Sequence, residues 1–411
     1  MDCGTLKTMK WILLSAILSF PAILWGQQTT ISGRAQDRAT GEPLEFASVG
    51  IKGKAIGTVT NLQGEFDFHI PAEYRNEILV VSMLGYRNYE APVWTLIGDS
   101  TQLIRMEKSP TILEEVIVRD SLSGGDVLRI ALSRIENNFP MQPFLVEGFY
   151  RDLKKVGATY ISLLEAAVKI YDDDYKEPRN KFKLRERVRL IEVRKSLGYE
   201  SKFTRYFDQD NLLEDLLLNN NIRYRQIEAR DELFTRINRE QDSYYDGHEI
   251  YVVSHSTEYK LTIFIDKQDY AIIHLDYETG PTDETVDRNK NLISKFGGIK
   301  KSIDFKRYNG KMYLNFIEMT SKERWLDVTT GKLEFETELF QQLLINNIQS
   351  DRVETVGTTE KMRNYGLQYQ NKPYNKSFWD NYNVIKETPL DQQIRADLEK
   401  LLPLEKQFEE N

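Results

Sequence analysis

Between residues 30 and 107 apolar and polar positions alternate in short runs. Ala47, Val49 and Ile51 alternate with Ser48 and Gly50, and Phe66, Phe68 and Ile70 with Glu65, Asp67 and His69. Each run puts its apolar side chains on one face at a period of two, which predicts a strand. Ile78-Leu79-Val80-Val81 is apolar on both faces, as a central strand is. Turn residues separate the runs: Gly41-Glu42-Pro43, Gly53, Asn61-Leu62-Gln63-Gly64 and Leu84-Gly85. About seven short strands so punctuated, ending at Gln102–Met106, predict a β-sandwich. His69 is the one histidine in this stretch, and alternation points it to solvent.

Beyond Gly125 the pattern changes scale. Val127, Ile130, Ala131, Ile135 and Phe139 recur at helical spacing from Asp126, a candidate cap, to Asn138, and Pro140 and Pro143 stop the helix. Long strands then dominate: Phe144–Leu153, Thr159–Tyr171, Lys183–Leu197, Tyr244–Ser254, Tyr259–Ile265, Tyr270–Tyr277, Ile293–Tyr308, Lys311–Trp325 and Lys332–Leu344. Asn309-Gly310 is the strongest hairpin signal in the chain. Asn211–Leu218 and Asp391–Leu402 read as helices, the latter with Ile394, Leu398 and Leu401 on one face. The expected fold is mainly β: a seven-stranded sandwich, then a large curved antiparallel sheet, half-barrel-like, with a few helices.

The motif order of the first part resembles a known family. Ile31-Ser32-Gly33-Arg34 is followed by Gly41-Glu42-Pro43-Leu44-Glu45-Phe46-Ala47-Ser48-Val49, by Gly57-Thr58-Val59-Thr60-Asn61-Leu62-Gln63-Gly64-Glu65-Phe66, and by Ser82-Met83-Leu84-Gly85-Tyr86. This looks like the carboxypeptidase-regulatory-like domain, a transthyretin-like sandwich common in envelope proteins of Bacteroidota. Asn61 stands where that family usually has Asp, and both close an Asx-turn. The family's namesake is an appendage without catalytic residues, so the resemblance implies no peptidase activity. Two further stretches are similar to Bacteroidota proteins that pair this sandwich with a second domain. They are Asn138-Phe139-Pro140 with Gly148-Phe149-Tyr150-Arg151, and Phe378-Trp379-Asp380-Asn381-Tyr382-Asn383. Leu113–Val118 resembles the stretch that joins such a sandwich to the plug and barrel of TonB-dependent transporters. The residues after it are too few for both, so a transporter is not expected.

Lys7 and Lys10 precede an apolar run from Trp11 to Trp25 that contains Pro21. The run is shorter than the ~20 residues of a membrane span and fits a secretory signal cleaved between Gly26 and Gln27. The expected organisation is signal peptide 1–26, sandwich 27–107, linker 108–125 and sheet domain 126–411. The single cysteine, Cys3, precedes the apolar run, which excludes a disulfide framework, a thiolate metal site and a lipidated cysteine at the cleavage point. A net charge of −8 argues against nucleic acid held through its phosphates. No later run is long enough to cross a membrane as a helix.

Chemistry is sparse. His255-Ser256-Thr257-Glu258 has the His-x-x-Glu spacing of metallocarboxypeptidases, and His274 is the only later histidine. That family places its third ligand much further downstream, so His255, Glu258 and His274 are weak zinc candidates, and His255 reads as a rim histidine near a turn. Asp172-Asp173-Asp174 lacks the glycine and glutamate of a calcium loop and reads as a charged strand end. No phosphate-binding loop, dinucleotide fingerprint or nucleophile elbow is present. No catalytic residue and no cofactor are expected. Tyr244, Tyr245, Tyr251, Tyr259, Tyr270 and Tyr277 cluster on the predicted meander, either as the rim of an exposed sheet or as the lining of a lipid or glycan groove. The leading expectation is an exported, non-enzymatic envelope protein of binding or assembly type, its sandwich a docking or spacing module, in the periplasm or on the periplasmic face of the outer membrane, with export beyond the cell left open. Its partner would be an envelope protein or a hydrophobic ligand. A lipid or lipoprotein carrier is the first alternative, and a hydrolase, metallocarboxypeptidase-like or other, the second.

Overall fold

The computed structural model describes residues 28–98, 100–109, 121–200, 202–207, 211–227, 230–362, 366–386, 389–400 and 402–410. The expected signal peptide, its cleavage point at Gly26 and Gln27, and the Leu113–Val118 stretch lie outside these residues.

The first part is seven strands in two sheets: β1 (Gln28–Asp37), β2 (Ser48–Ile51), β3 (Gly57–Val59), β4 (Glu65–Pro71), β5 (Ile78–Ser82), β6 (Tyr89–Pro92) and β7 (Gln102–Met106). Their orders are β4-β1-β7 and β3-β2-β5-β6, with β1 and β7 parallel. The inward side chains of both sheets meet in one core that includes Ile31, Val49, Phe66, Phe68, Leu79, Val81 and Ile104. Asn61 closes its turn by accepting from the amides of Gln63 at 2.9 Å and Glu65 at 2.8 Å. Gly64 has φ +73°, and a Cβ there would stand 2.2 Å from the Ala35 carbonyl oxygen, so the turn requires glycine.

The second part is one open sheet of twelve strands: β8 (Phe144–Val156), β9 (Thr159–Asp172), β10 (Arg187–Lys195), β11 (Asn238–Arg239), β12 (Ser243–Tyr245), β13 (His248–His255), β14 (Lys260–Asp266), β15 (Ile272–Thr279), β16 (Thr285–Asn289), β17 (Leu292–Tyr308), β18 (Lys311–Asp327) and β19 (Leu333–Gln349). The order is β10-β9-β8-β19-β18-β17-β15-β14-β13-β11, with β12 on β13 and β16 on β17. The β17–β18 hairpin turns through Asn309 and Gly310, both at positive φ.

The middle strands are buried on both faces, and neighbouring residues enter different cores. Tyr150, Ala166, Ile317 and Leu343 face helices α1 (Gly124–Ser133), α2 (Ile135–Asn138), α3 (Leu212–Leu218) and α4 (Asp231–Thr235). Their neighbours Phe149, Ala167, Phe316 and Leu344 face Val59 of the sandwich and Trp379 of α5 (Lys376–Trp379). Helices α6 (Pro389–Leu398) and α7 (Leu404–Glu410) cover Leu153 and Leu163 further along that second face. The sandwich is therefore seated on the sheet. Phe46 stacks on Phe316 at 5.1 Å. The Lys306 ammonium enters the mouth of the β2–β3 hairpin and donates to the Ile56 carbonyl at 3.3 Å. Asn383 bonds both backbone groups of His69, accepting from the amide at 2.8 Å and donating to the carbonyl at 3.0 Å.

Several expectations change. The first helix is capped by Ser123, whose side chain and that of Asp126 form a capping box, and it breaks at Arg134. The expected strand 183–197 is shorter, and the expected C-terminal helix ends at Leu398, with α7 following. His69 is not left to solvent but half-covered by the segment that carries Asn383. His255 is buried, with 2% of its surface exposed, instead of lying on the rim. Asp172 is also buried, because Arg223 grips it through two nitrogens at 2.7 and 3.1 Å, while Asp173 and Asp174 pair with Arg187 and Arg185.

Candidate functional site

A hollow of about 580 Å³ lies on the helix-bearing face at one end of β13, β14, β15 and β17. Its floor is set by register. His255 faces Leu261, Leu261 faces Tyr277, and Tyr277 faces Lys301 across successive strands. Residues directly opposite share a face, so all four point the same way. Tyr259, in the turn before β14, completes the row: His255 to Tyr259 is 4.6 Å between ring centroids and Tyr259 to Tyr277 is 5.3 Å. The Lys301 ammonium stands 5.1 Å from the Tyr277 ring. The roof comes from the segment around α4 and includes Asn221, Ile227, Arg230, Leu233 and Arg236. A pocket of this size suits a small organic ligand.

Lys301 is 5% exposed. Its ammonium donates to the backbone and side-chain oxygens of Asn219 at 3.2 and 3.0 Å and pairs with no carboxylate among the described residues. Burial pulls its pKa down to about 8. At the other end, the Nε2 edge of His255 meets Thr257 at 2.9 Å, while Nδ1 is buried without a hydrogen-bond partner among the described residues. Burial raises the pKa of both pocket tyrosines, Tyr259 and Tyr277, so both hydroxyls keep their protons and can donate. Arg236 is matched by Glu258 at 3.0 Å.

The zinc candidates do not converge. His255 and Glu258 are 3.7 Å apart. His274, however, pairs with Phe264, three residues along β14 from the partner of His255, and so projects from the opposite face. There it lies between Asp304 at 2.7 Å and Asp276 at 3.0 Å. Burial lowers its pKa, but the two carboxylates prevail and hold it up to about 10. Among the described residues no group of three or more His, Cys, Asp or Glu side chains is gathered to hold a metal ion.

Two polar clusters went unnoticed in the sequence. Arg151, Glu165 and Arg194 form a ladder across β8, β9 and β10 on the face opposite the pocket. Glu165 is 2% exposed and accepts from both guanidiniums at 2.5–2.7 Å. Burial raises its pKa, but the arginines outweigh it and bring it to about 2. A smaller hollow of about 250 Å³ adjoins this ladder under α6 and α7. The second cluster joins Asp172, Glu186, Arg223 and Tyr224. Burial and the nearby Glu186 carboxylate raise Asp172 to about 6. Lys301 was legible in principle, since it occupies an inward position between Ile299 and Ile303.

Residues 31–118 match the CarboxypepD_reg-like domain family. A curated relative, the TonB-dependent receptor SusC of Bacteroides thetaiotaomicron, is 34% identical over 112 residues. That match is 27% of this chain and 10% of the receptor, so the chain spans a small part of that relative's length. Among solved structures, a LolA superfamily protein from Nitrosomonas europaea covers 59% of this chain and 99% of its own at 14% identity and a TM-score of 0.21. A membrane-associated protein of unknown function from Bacteroides fragilis covers 79% of this chain and 99% of its own at 12% identity and a TM-score of 0.16. Scores this low assign neither fold nor role. Residues 31–118 are thus a CarboxypepD_reg-like domain, followed in the chain by a large open antiparallel sheet.

Proposed function

We propose that this chain is an exported, non-enzymatic binding protein of the cell envelope, with its ligand held in the pocket floored by His255, Tyr259, Tyr277 and Lys301. The observation that carries the reading is that pocket: about 580 Å³, formed where the α4 segment roofs the sheet, with a buried lysine that has no carboxylate partner among the described residues. The basic and apolar N-terminal pattern supports export. The CarboxypepD_reg-like domain and its counterpart in a TonB-dependent receptor support an envelope setting. Among the described residues no helix is long and apolar enough to cross a membrane. The sandwich would serve as a docking module held at one orientation, since its Phe46, Val59 and His69 edge is occupied by the sheet and the Asn383 segment.

The lining narrows the carrier alternative. Ile227, Leu233 and Leu261 share the pocket with Lys301, His255 and Arg236, so a wholly apolar ligand would leave the Lys301 ammonium facing no counter-charge.

Native mass spectrometry of the protein purified from its own envelope tests the reading. A co-purifying small mass should be present, released on denaturation and absent from Leu233→Trp, which fills the pocket. A bare chain in both cases would favour an assembly role, with protein partners to be sought by crosslinking.

A further inference from the structure

Resting on that reading, we infer that the pocket takes an organic acid with an apolar body, its carboxylate lying against Lys301 at the Tyr277 end of the row. Three observations converge on this ligand class. The first is Lys301 itself. A buried ammonium is costly unless paired, and here its two partners are the neutral oxygens of Asn219. A carboxylate would supply the missing charge-assisted bond.

The second is the balance of hydrogen-bonding groups. Of the pocket's two acids, Glu258 is already matched by Arg236, and Glu232 lies exposed to water on the roof. Neither the Tyr259 nor the Tyr277 hydroxyl bonds another described residue, and both remain protonated donors. Open donors beside an uncompensated cation select an anion, and a single buried ammonium matches a monovalent one better than a phosphate.

The third is the placement of the rings. Tyr259 and Tyr277 lie 33° from parallel at 5.3 Å. They spend their faces on each other, on His255 and on Lys301. A ligand therefore meets ring edges and hydroxyls, not the flat platform on which a sugar ring stacks. Ile299 and Leu261 on the floor and Leu233 in the roof leave apolar surface for the rest of the molecule.

Isothermal titration of the full chain with dodecanoate, its methyl ester, dodecyl phosphate and acetate tests the inference. Dodecanoate should bind, its ester at least about tenfold more weakly, as expected for losing a charge-assisted bond, and acetate not measurably. Lys301→Met should weaken dodecanoate about tenfold and leave the ester unchanged, whereas Leu233→Trp should weaken both. If Lys301→Met does not fold, the acid-to-ester ratio on the native chain decides alone. Equal binding of acid and ester, tighter binding of the phosphate, no binding of dodecanoate, or indifference to Leu233→Trp would each overturn the inference. A neutral co-purifying mass seated in the pocket would overturn it too while leaving the binding-protein reading intact. A chain that carries nothing and takes up none of the four probes counts against both.

Discussion

Glu165 and His274 show how far a single titratable side chain can be committed by its neighbours. Glu165 sits between two guanidiniums with almost no contact with water. Replacing it by glutamine leaves Arg151 and Arg194 buried without their counter-charge, and breaking a buried pair in this way costs roughly 3–5 kcal/mol. Glu165→Gln should therefore lower the urea midpoint markedly at neutral pH. Glu165 has a folded pKa of about 2, below its unfolded value near 4.5. The wild-type advantage over the variant is then complete above the unfolded value and is lost as the pH falls toward 2. His274 works in the other direction. Its folded pKa of about 10 lies above the unfolded value near 6.5. The stability it contributes is complete below pH ~6.5 and lost as the pH rises toward 10. Denaturation midpoints of wild type and His274→Gln should therefore differ most at mildly acidic pH and converge at alkaline pH.

At the scale of elements, the segment from Trp379 to Lys386 acts as a clamp between the two parts of the fold. Trp379 packs edge-on against Phe149 at 6.4 Å and lies under the Arg194 guanidinium at 4.4 Å. The Tyr382 hydroxyl donates to the Gly148 carbonyl at 3.0 Å. Lys386 reaches Asp67 at 3.0 Å, and its carbonyl accepts from Asn61 at 3.2 Å. Asn383→Ala removes both bonds to the His69 backbone and should cost about 1–3 kcal/mol. Hydrogen exchange should show the effect first at the His69 amide on β4, while the β17–β18 hairpin stays protected. Exchange that is unchanged at His69 would count against the clamp. Local elements of this kind were largely readable beforehand. The seven sandwich strands, the Asn309-Gly310 hairpin and the helix after Asn211 each carry a periodic or turn signal within a few residues. The clamp does not, because its meaning depends on partners more than 180 positions away, and the motif from Phe378 to Asn383 gives only its composition.

For the whole molecule, the least readable feature was strand order. Alternation identifies β8 and β19 as strands but contains nothing that says the first long strand pairs with the last. The pocket was hidden for the same reason. His255, Tyr277 and Lys301 lie on three different strands and become neighbours only through register. Burial on both faces was equally obscure, because Phe149-Tyr150 and Phe316-Ile317 read as short apolar runs until each partner finds its own core. These are consequences of non-local pairing, which sequence periodicity does not encode.

That pairing has a consequence for synthesis. The sandwich has its contacts close together in the chain and can form as soon as its own residues are available. β8 cannot be completed so early. The second edge of β8 waits for Leu333–Gln349, and the sandwich waits for Asn383 before it can seat. A chain delivered from its N-terminus therefore passes through a period in which a long, apolar hairpin exposes an open edge, the kind of surface that invites aggregation. Truncation just before Leu333 should yield a folded sandwich attached to an aggregating remainder, detectable by limited proteolysis as a stable fragment that ends near Met106. This window is where a holding chaperone would be needed most.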